Sequence, residues 1–189
     1  TDNFTPPTWI RTLRDSAGVN ASPMTFGTAG TERMRIDGDG NIQMPNKPSF
    51  LAWFPAQTAG DNNSIIIFGG EQHDQGGHYN TSNGRFTAPV AGKYLFTVSV
   101  LFNPENTGNS YYARLAFGLN GTTSAVYGDS LNTAFATDAG SSSTTPNYQS
   151  VSMSTILNLA SGDYVTVHNA GTSPTYGTGY GSFGGFLIG

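Results

Sequence analysis

Apolar residues recur at every second position through the middle of this chain. Tyr94, Phe96, Val98 and Val100 fall on one face of an extended segment. A period of two over that length predicts a half-buried strand. Upstream, Asn83-Gly84 offers the positive φ of a tight turn before Arg85-Phe86-Thr87, and a Pro-Val-Ala-Gly bend follows. Further strands are predicted over 113–119, 151–159, 165–167 and 183–188, separated by three long loops at 103–110, 137–147 and 170–181. No helical period is present. Eight or more short strands with uneven loops fit an all-β, two-sheet jelly roll.

The first 47 residues follow another rhythm. Apolar residues come as isolated pairs two apart: Met24 and Phe26, Met34 and Ile36, Ile42 and Met44. Turn-rich Gly27-Thr28-Ala29-Gly30 and Asp37-Gly38-Asp39-Gly40-Asn41 separate them. Strands this short cannot bury a core within one chain. Three copies wound together, each supplying one wall, would bury one. The expected organisation is therefore a homotrimer, with a β stalk over 1–47 and a head over 48–189. Asn46-Lys47-Pro48 marks the junction, where the period changes.

Composition narrows the function. The chain has 189 residues, no cysteine and a net charge of −4. Disulfides, thiolate metal sites and cysteine nucleophiles are excluded, so stability has to come from elsewhere, with burial between subunits the usual source. In residues 49–189 the only cations besides histidine are Arg85, Lys93 and Arg114, set against Asp61, Glu71, Asp74, Glu105, Asp129, Asp138 and Asp163. No basic stripe exists for nucleic acid. No run reaches the length of a membrane-spanning helix. The opening at Thr1, without a signal peptide, suggests a piece of something longer, with a further segment upstream.

Apparent motifs for catalysis or metal binding each have a simpler structural reading, although a threefold axis could bring three copies of one histidine together and scattered carboxylates could pair as in a glycosidase. His73 and His78, with Glu71 and Asp74, sit in a Gly-rich stretch expected to be a loop, and their spacing supplies no third firm metal ligand. Asp37-Gly38-Asp39-Gly40-Asn41 opens like a calcium loop but has Ile42 where glycine is needed and Pro48 in place of the closing glutamate. Residues 179–184 spell G-x-G-x-x-G with too little chain left for the helix a dinucleotide needs. Those glycines are expected to let the last strand pack closely. No serine lies in a nucleophile elbow, and no catalytic residue is assigned.

In order along the chain, Pro48-Ser49-Phe50, Ile65-Ile66-Ile67-Phe68, the 79–100 stretch, Leu119-Asn120-Gly121, the L-x-L-x-x-G-D-x-V run of 157–165 and Ser182-Phe183-Gly184-Gly185-Phe186-Leu187-Ile188 resemble the landmarks of the complement C1q globular head, a relative of the tumour necrosis factor trimers. The resemblance covers about residues 48–189. It implies a trimeric jelly-roll head, with Ile65–Phe68 as an early core strand. It also implies that calcium on or near the threefold axis is possible, though it fixes no ligand and no cofactor. Thr25-Phe26-Gly27 followed by Glu32-Arg33-Met34-Arg35-Ile36-Asp37 and Asp39-Gly40-Asn41-Ile42 resembles a segment common near the ends of bacteriophage tail fibres and tailspikes, though Gln43-Met44-Pro45 stands where those usually continue with Gly-Ile-Gly.

Together the two resemblances imply the receptor-binding tip of a virion tail fibre. Such an extracellular, non-enzymatic adhesin would recognise host polysaccharide or an outer-membrane protein. A bacterial surface or spore filament carrying the same head is the alternative, and a fibre-associated glycan hydrolase the third class. The candidate ligand residues are Tyr111, Tyr112, Tyr148, Tyr176 and Tyr180, in or beside the long loops. Tyrosine there stacks on sugar rings and hydrogen-bonds at its tip. Each of them is equally suited to capping the core or lining a subunit seam.

Overall fold

The computed structural model describes residues 8–12, 23–55, 64–103, 112–121, 131–137, 149–171 and 175–189. The chain forms two compact units, Thr1–Lys47 and Pro48–Gly189. Among the described residues there is no helix.

The first unit is a four-stranded antiparallel sheet of β1 (Trp9–Thr12), β2 (Met24–Thr28), β3 (Thr31–Ile36) and β4 (Ile42–Gln43), in that spatial order. Ala29 and Gly30 take positive φ values of 51° and 76°, which closes the β2–β3 hairpin. Between β3 and β4 the Asp37 carboxylate accepts hydrogen bonds from the backbone N–H of Asp39 and from Asn41 and Gln43 side chains. These bonds hold its pKa below the ordinary carboxylate value, the Asn41 amide contributing most. The apparent calcium loop is a self-satisfied turn.

Strand register sorts this unit's side chains onto two unlike faces. Ile10, Phe26 and Met34 line up across three strands, followed by Met24, Ile36 and Ile42. On the opposite face lie Trp9, Arg11, Thr25, Glu32, Arg35 and Gln43. There Trp9 covers Gly27, Arg11 stacks 4.7 Å from the indole centre, and Glu32 and Arg35 pair at 2.8 Å. One face is apolar and the other polar.

The second unit packs two five-stranded antiparallel sheets. One runs in the order β12 (Gln149–Leu159), β9 (Gly92–Asn103), β14 (Thr175–Leu187), β5 (Ser49–Trp53), β6 (Gly70–Gln75). The other runs β11 (Leu131–Thr137), β10 (Tyr112–Leu119), β13 (Tyr164–Asn169), β8 (Arg85–Thr87), β7 (Tyr79–Asn80). Between them lies an aromatic core. Phe50 stacks on Tyr79 and Phe86 at 4.9 and 4.8 Å and meets Phe183 edge-on at 4.9 Å. Burial pushes the Tyr79 phenol well above its usual pKa, and its O–H donates to the Phe68 carbonyl.

The alternation at 94–100 is borne out, since Tyr94, Phe96, Val98 and Val100 all face the core from β9. The final strand packs on glycines, as expected. A Cβ at Gly181 would stand 2.3 Å from the Phe54 ring, and one at Gly185 would stand 2.6 Å from Phe96. Two turns anticipated from sequence are tied together: Asn120 donates to the Asp163 carboxylate at 2.8 Å and accepts from the Tyr164 N–H at 2.9 Å.

Four expectations need correction. Ile65–Phe68 makes one bridge, Ile65 to His168, instead of a strand, although Ile66 and Phe68 are buried in the core as expected. The same side of β13 pairs with β8 at its other end, which leaves room for only a short ladder. Residues 70–75 form the edge strand β6 and not a loop, because they pair along β5 from Trp53 to Ser49. Residues 131–137, where no strand was expected, form β11 against β10. The expected 170–181 loop is largely strand, since β14 starts at Thr175 and pairs with β9. Of the other two expected loops, residues 104–110 and 138–147 lie outside the described residues.

Candidate functional site

The sheet built on β14 has one face in the core, and alternation turns every other side chain to the opposite face. Register arranges those outward residues in rows across the strands. Ser49, Phe186, Leu95 and Ile156 form the first row, and Leu51, Gly184, Thr97 and Ser154 the second. Trp53, Ser182, Ser99 and Ser152 form the third, and Leu101 and Ser150 extend beyond it. The face therefore grades from apolar at one end to hydroxyl-rich and aromatic at the other. At the apolar end Ile156 is 59 % exposed and Phe186 44 %.

At the other end Trp53, Leu101, Tyr180 and the hydroxyls of Ser99, Ser150 and Ser182 line a cleft of about 460 Å³. That volume lies within the range of small-ligand sites. Each wall has a local cause. Trp53 pairs across the sheet with Gly70, and its indole occupies the space a Cβ there would need, 2.6 Å away. The β14–β9 register slips between Tyr176 and Gly181. Irregularities of this kind re-aim side chains out of a ladder, and Tyr180, beside the slip, is 65 % exposed. Ser152 donates to Ser99 at 2.8 Å, which steadies the hydroxyl row. The lining carries no charged side chain.

The five tyrosines anticipated from sequence are placed unequally. Tyr111 and Tyr148 lie outside the described residues. Tyr112 opens β10 and Tyr176 pairs with Phe102 on β14, so both sit on strand backbone. Tyr180 joins the cleft. Trp53 and the three serines were missed. Their signal was present, because Leu51 and Trp53 alternate with core-facing Phe50 and Ala52, just as Ser99 alternates with Val98 and Val100.

The histidine segment has structural work. The Asp74 carboxylate accepts the backbone N–H groups of His78 and Tyr79 at 3.0 and 2.8 Å, and the His78 ring meets Phe86 edge-on. Among the described residues no three His, Asp or Glu side chains gather around a common point. On the outer face of the second sheet, His168 is buried with its Nε2 2.8 Å from the Thr166 hydroxyl, close over Gly118.

Two antiparallel sheets over an aromatic core define a jelly-roll sandwich. The chain belongs to the C1q domain family, whose model matches residues 49–188. Its fold is similar to the globular domain of zebrafish complement 1qA protein, at 23 % identity and a TM-score of 0.57, covering 76 % of this chain and 98 % of that one. It is also similar to Eiger TNF from S. frugiperda, at 10 % identity and a TM-score of 0.58, covering 76 % and 94 %. No curated protein sequence matches the chain. Domains of this class are generally trimeric, typically extracellular and typically non-enzymatic binding modules. Among the described residues no helix is long and apolar enough to cross a membrane.

Proposed function

We propose that this chain is the receptor-binding tip of a bacteriophage tail fibre, a homotrimeric adhesin with a β stalk over 1–47 and a C1q head over 48–189. The observation that carries the reading is the two-faced sheet of the first unit. Ile10 is 67 % exposed and Ile42 64 %, while Arg11, Glu32 and Arg35 lie on the other face. A lone sheet cannot keep such a face in water, since each apolar side chain buried is worth about 1.5–3 kcal/mol. Three copies meeting on these faces satisfy it. The head has an apolar surface of its own, where exposed Phe186 and Ile156 flank half-buried Leu95.

The phage assignment rests on the resemblance of residues 25–42 to tail-fibre segments, joined to a head from a family of binding modules. Three identical sites at a rigid tip gain avidity on a surface that repeats its ligand. Host polysaccharide fits that geometry best, and an outer-membrane protein is the second ligand class. Light scattering on the purified chain tests the assembly: a mass near three times 19.9 kDa is expected. Fluorescently labelled protein should then stain bacterial cells and lose them after periodate oxidation of surface sugars. A monomer, or a protein that stains no bacterial strain, overturns the reading.

A further inference from the structure

We infer that the outward face of the second sheet, where β7, β8 and β13 adjoin, binds a carboxylated pyranose, a uronic acid unit of a glycan. The inference rests on the adhesin reading for the source of such a sugar, and on this surface for the chemistry. The Trp53 cleft shares its sheet face with the apolar row given to the subunit contact, whereas this surface belongs to the other sheet.

Register assembles it. On β8 Phe86 is buried in the core, so Arg85 and Thr87 on either side of it face outward. Thr87 pairs with Tyr164 on β13, and its N–H donates to the His78 carbonyl at 2.8 Å on the other flank. Arg85 stands across the ladder from Asn80 on β7. Beside them His78, Asn80, Thr81, Thr87 and Pro89 line a cleft of about 470 Å³, within the range of small-ligand sites.

Arg85 supplies the charge. Its guanidinium lies 4.3 Å from the centre of the Tyr164 ring. That ring is itself seated, because the Tyr164 N–H donates to Asn120 and the phenol end closes over Gly121. The Nε of Arg85 is buried and has no hydrogen-bond partner, and among the described residues no carboxylate pairs with this side chain. Its terminal amino groups keep their donors for a ligand. A guanidinium held by stacking presents a planar fork that matches a carboxylate through two hydrogen bonds at once. The net charge of −4 gives anions no general attraction, so recognition depends on this one fork.

The cleft suits the rest of the sugar. The Thr81 and Thr87 hydroxyls donate and accept, as sugar hydroxyls do. The Asn80 side-chain oxygen already accepts the Ser82 N–H at 2.9 Å, which leaves its amide N–H groups to donate. His78 is braced over Gly76 and edge-on to Phe86. The oxygens of Asp74, the carboxylate nearby in sequence, are taken by the N–H groups of His78 and Tyr79. Because Thr87 stands between the Arg85–Tyr164 stack and His78, a ring over Thr87 brings its carboxylate to the guanidinium and its hydroxyls to the cleft.

Saturation-transfer NMR on the full chain tests the site. Methyl glucuronide and methyl galacturonide are the probes, with methyl glucoside, methyl galactoside and glucose 6-sulfate as counterparts. At least one uronide should bind saturably, about tenfold or more tighter than its neutral parent and than the sulfate, and more weakly as salt is added. Arg85→Gln should weaken that binding by about tenfold or more, and Asn80→Ala by about threefold or more, at unchanged solution mass. Should Arg85→Gln fail to fold, Asn80→Ala at its exposed position carries the test.

Silence towards both uronides up to about 100 mM overturns the site. So does equal affinity for the neutral parents, a preference for the sulfate, or uronide binding untouched by these substitutions. A drop in solution mass on Asn80→Ala would make the surface a subunit contact and overturn it too. Cell staining scored in parallel separates this site from the adhesin reading. Staining undiminished in the Arg85→Gln Asn80→Ala protein removes the site as the receptor contact and leaves the adhesin. Uronide binding without any staining removes the adhesin and leaves the site.

Discussion

The indole of Trp53 lies over Gly70 on the adjacent strand, so closely that a Cβ at Gly70 would stand 2.6 Å from the ring. The glycine is the seat of the aromatic platform. Gly70→Ala should tilt the ring off the sheet. Because Trp53 is 41 % exposed, the displaced ring can swing outward into solvent, and stability should change by less than about 1 kcal/mol. Trp53 emission should shift as the indole leaves its seat, and guanidinium unfolding of the same variant checks the stability.

Gly185 presents the opposite case. A Cβ there would stand 2.6 Å from the buried Phe96 ring and 2.9 Å from the Leu95 carbonyl, which is held in the β9–β14 ladder. Neither neighbour can swing into solvent. Gly185→Ala is expected to destabilise the head by about 1–3 kcal/mol through overpacking. An unfolding midpoint equal to that of the wild type would show that the sheet relaxes more easily than this packing allows.

Phe186 tests the threefold assembly. Its side chain is 44 % exposed in the apolar row, so an arginine fits the isolated protomer without strain. Around a threefold axis the same change brings three like charges into apolar surroundings. Phe186→Arg should lower the solution mass measured by light scattering and leave the far-ultraviolet circular dichroism of the strands intact. An unaltered mass would remove this row from the subunit contact.

The last strand supplies a harsher test. β14 lies between β9 and β5 and carries Phe183, which is fully buried among the core rings. Deleting residues 183–189 should yield no soluble trimer, as judged by gel filtration of the expressed chain. Recovery of soluble trimer would refute the central role of this strand.

Asp163 sets a pH dependence with a definite sign. Its carboxylate accepts from the Asn120 amide at 2.8 Å and the Ala160 N–H at 2.7 Å, and these bonds hold its pKa below the ordinary value. A lowered folded-state pKa means stability that is present above the unfolded value, about 3.9. It is lost as pH falls through the lower folded-state value. Asp163→Asn should therefore cost most near neutral pH, with the gap to wild type closing in acid. Urea midpoints at a series of pH values measure it, and a gap independent of pH would rule the carboxylate out.

Much of the fold was legible because burial is written locally. Core-facing residues on β9 alternate without exception from Tyr94 to Val100, and the Asn83-Gly84 turn joins β7 to β8 with Gly84 at a φ of 70°. Where the pattern misled, pairing had overridden it. Ile65–Phe68 is as apolar as any strand, yet it shares one flank of β13 with β8 and forms only a bridge. Residues 70–75 are polar and flanked by glycines, yet they are strand because β5 offers them an open edge. An edge strand with a solvated face needs no hydrophobic signal of its own.

The candidate site was legible only in part. Tyr180 could be singled out as an aromatic in a Gly-rich stretch, but nothing local couples it to Trp53, Ser99 or Ser150. Those residues lie on four different strands, and their common cleft exists because the register of β5, β14, β9 and β12 brings their outward positions together. By itself, the sequence determined which residues turn inward, since alternation and burial are properties of one strand and its neighbours in the chain. Which outward residues share a surface was decided by the tertiary structure, because pairing between strands far apart in sequence sets the rows.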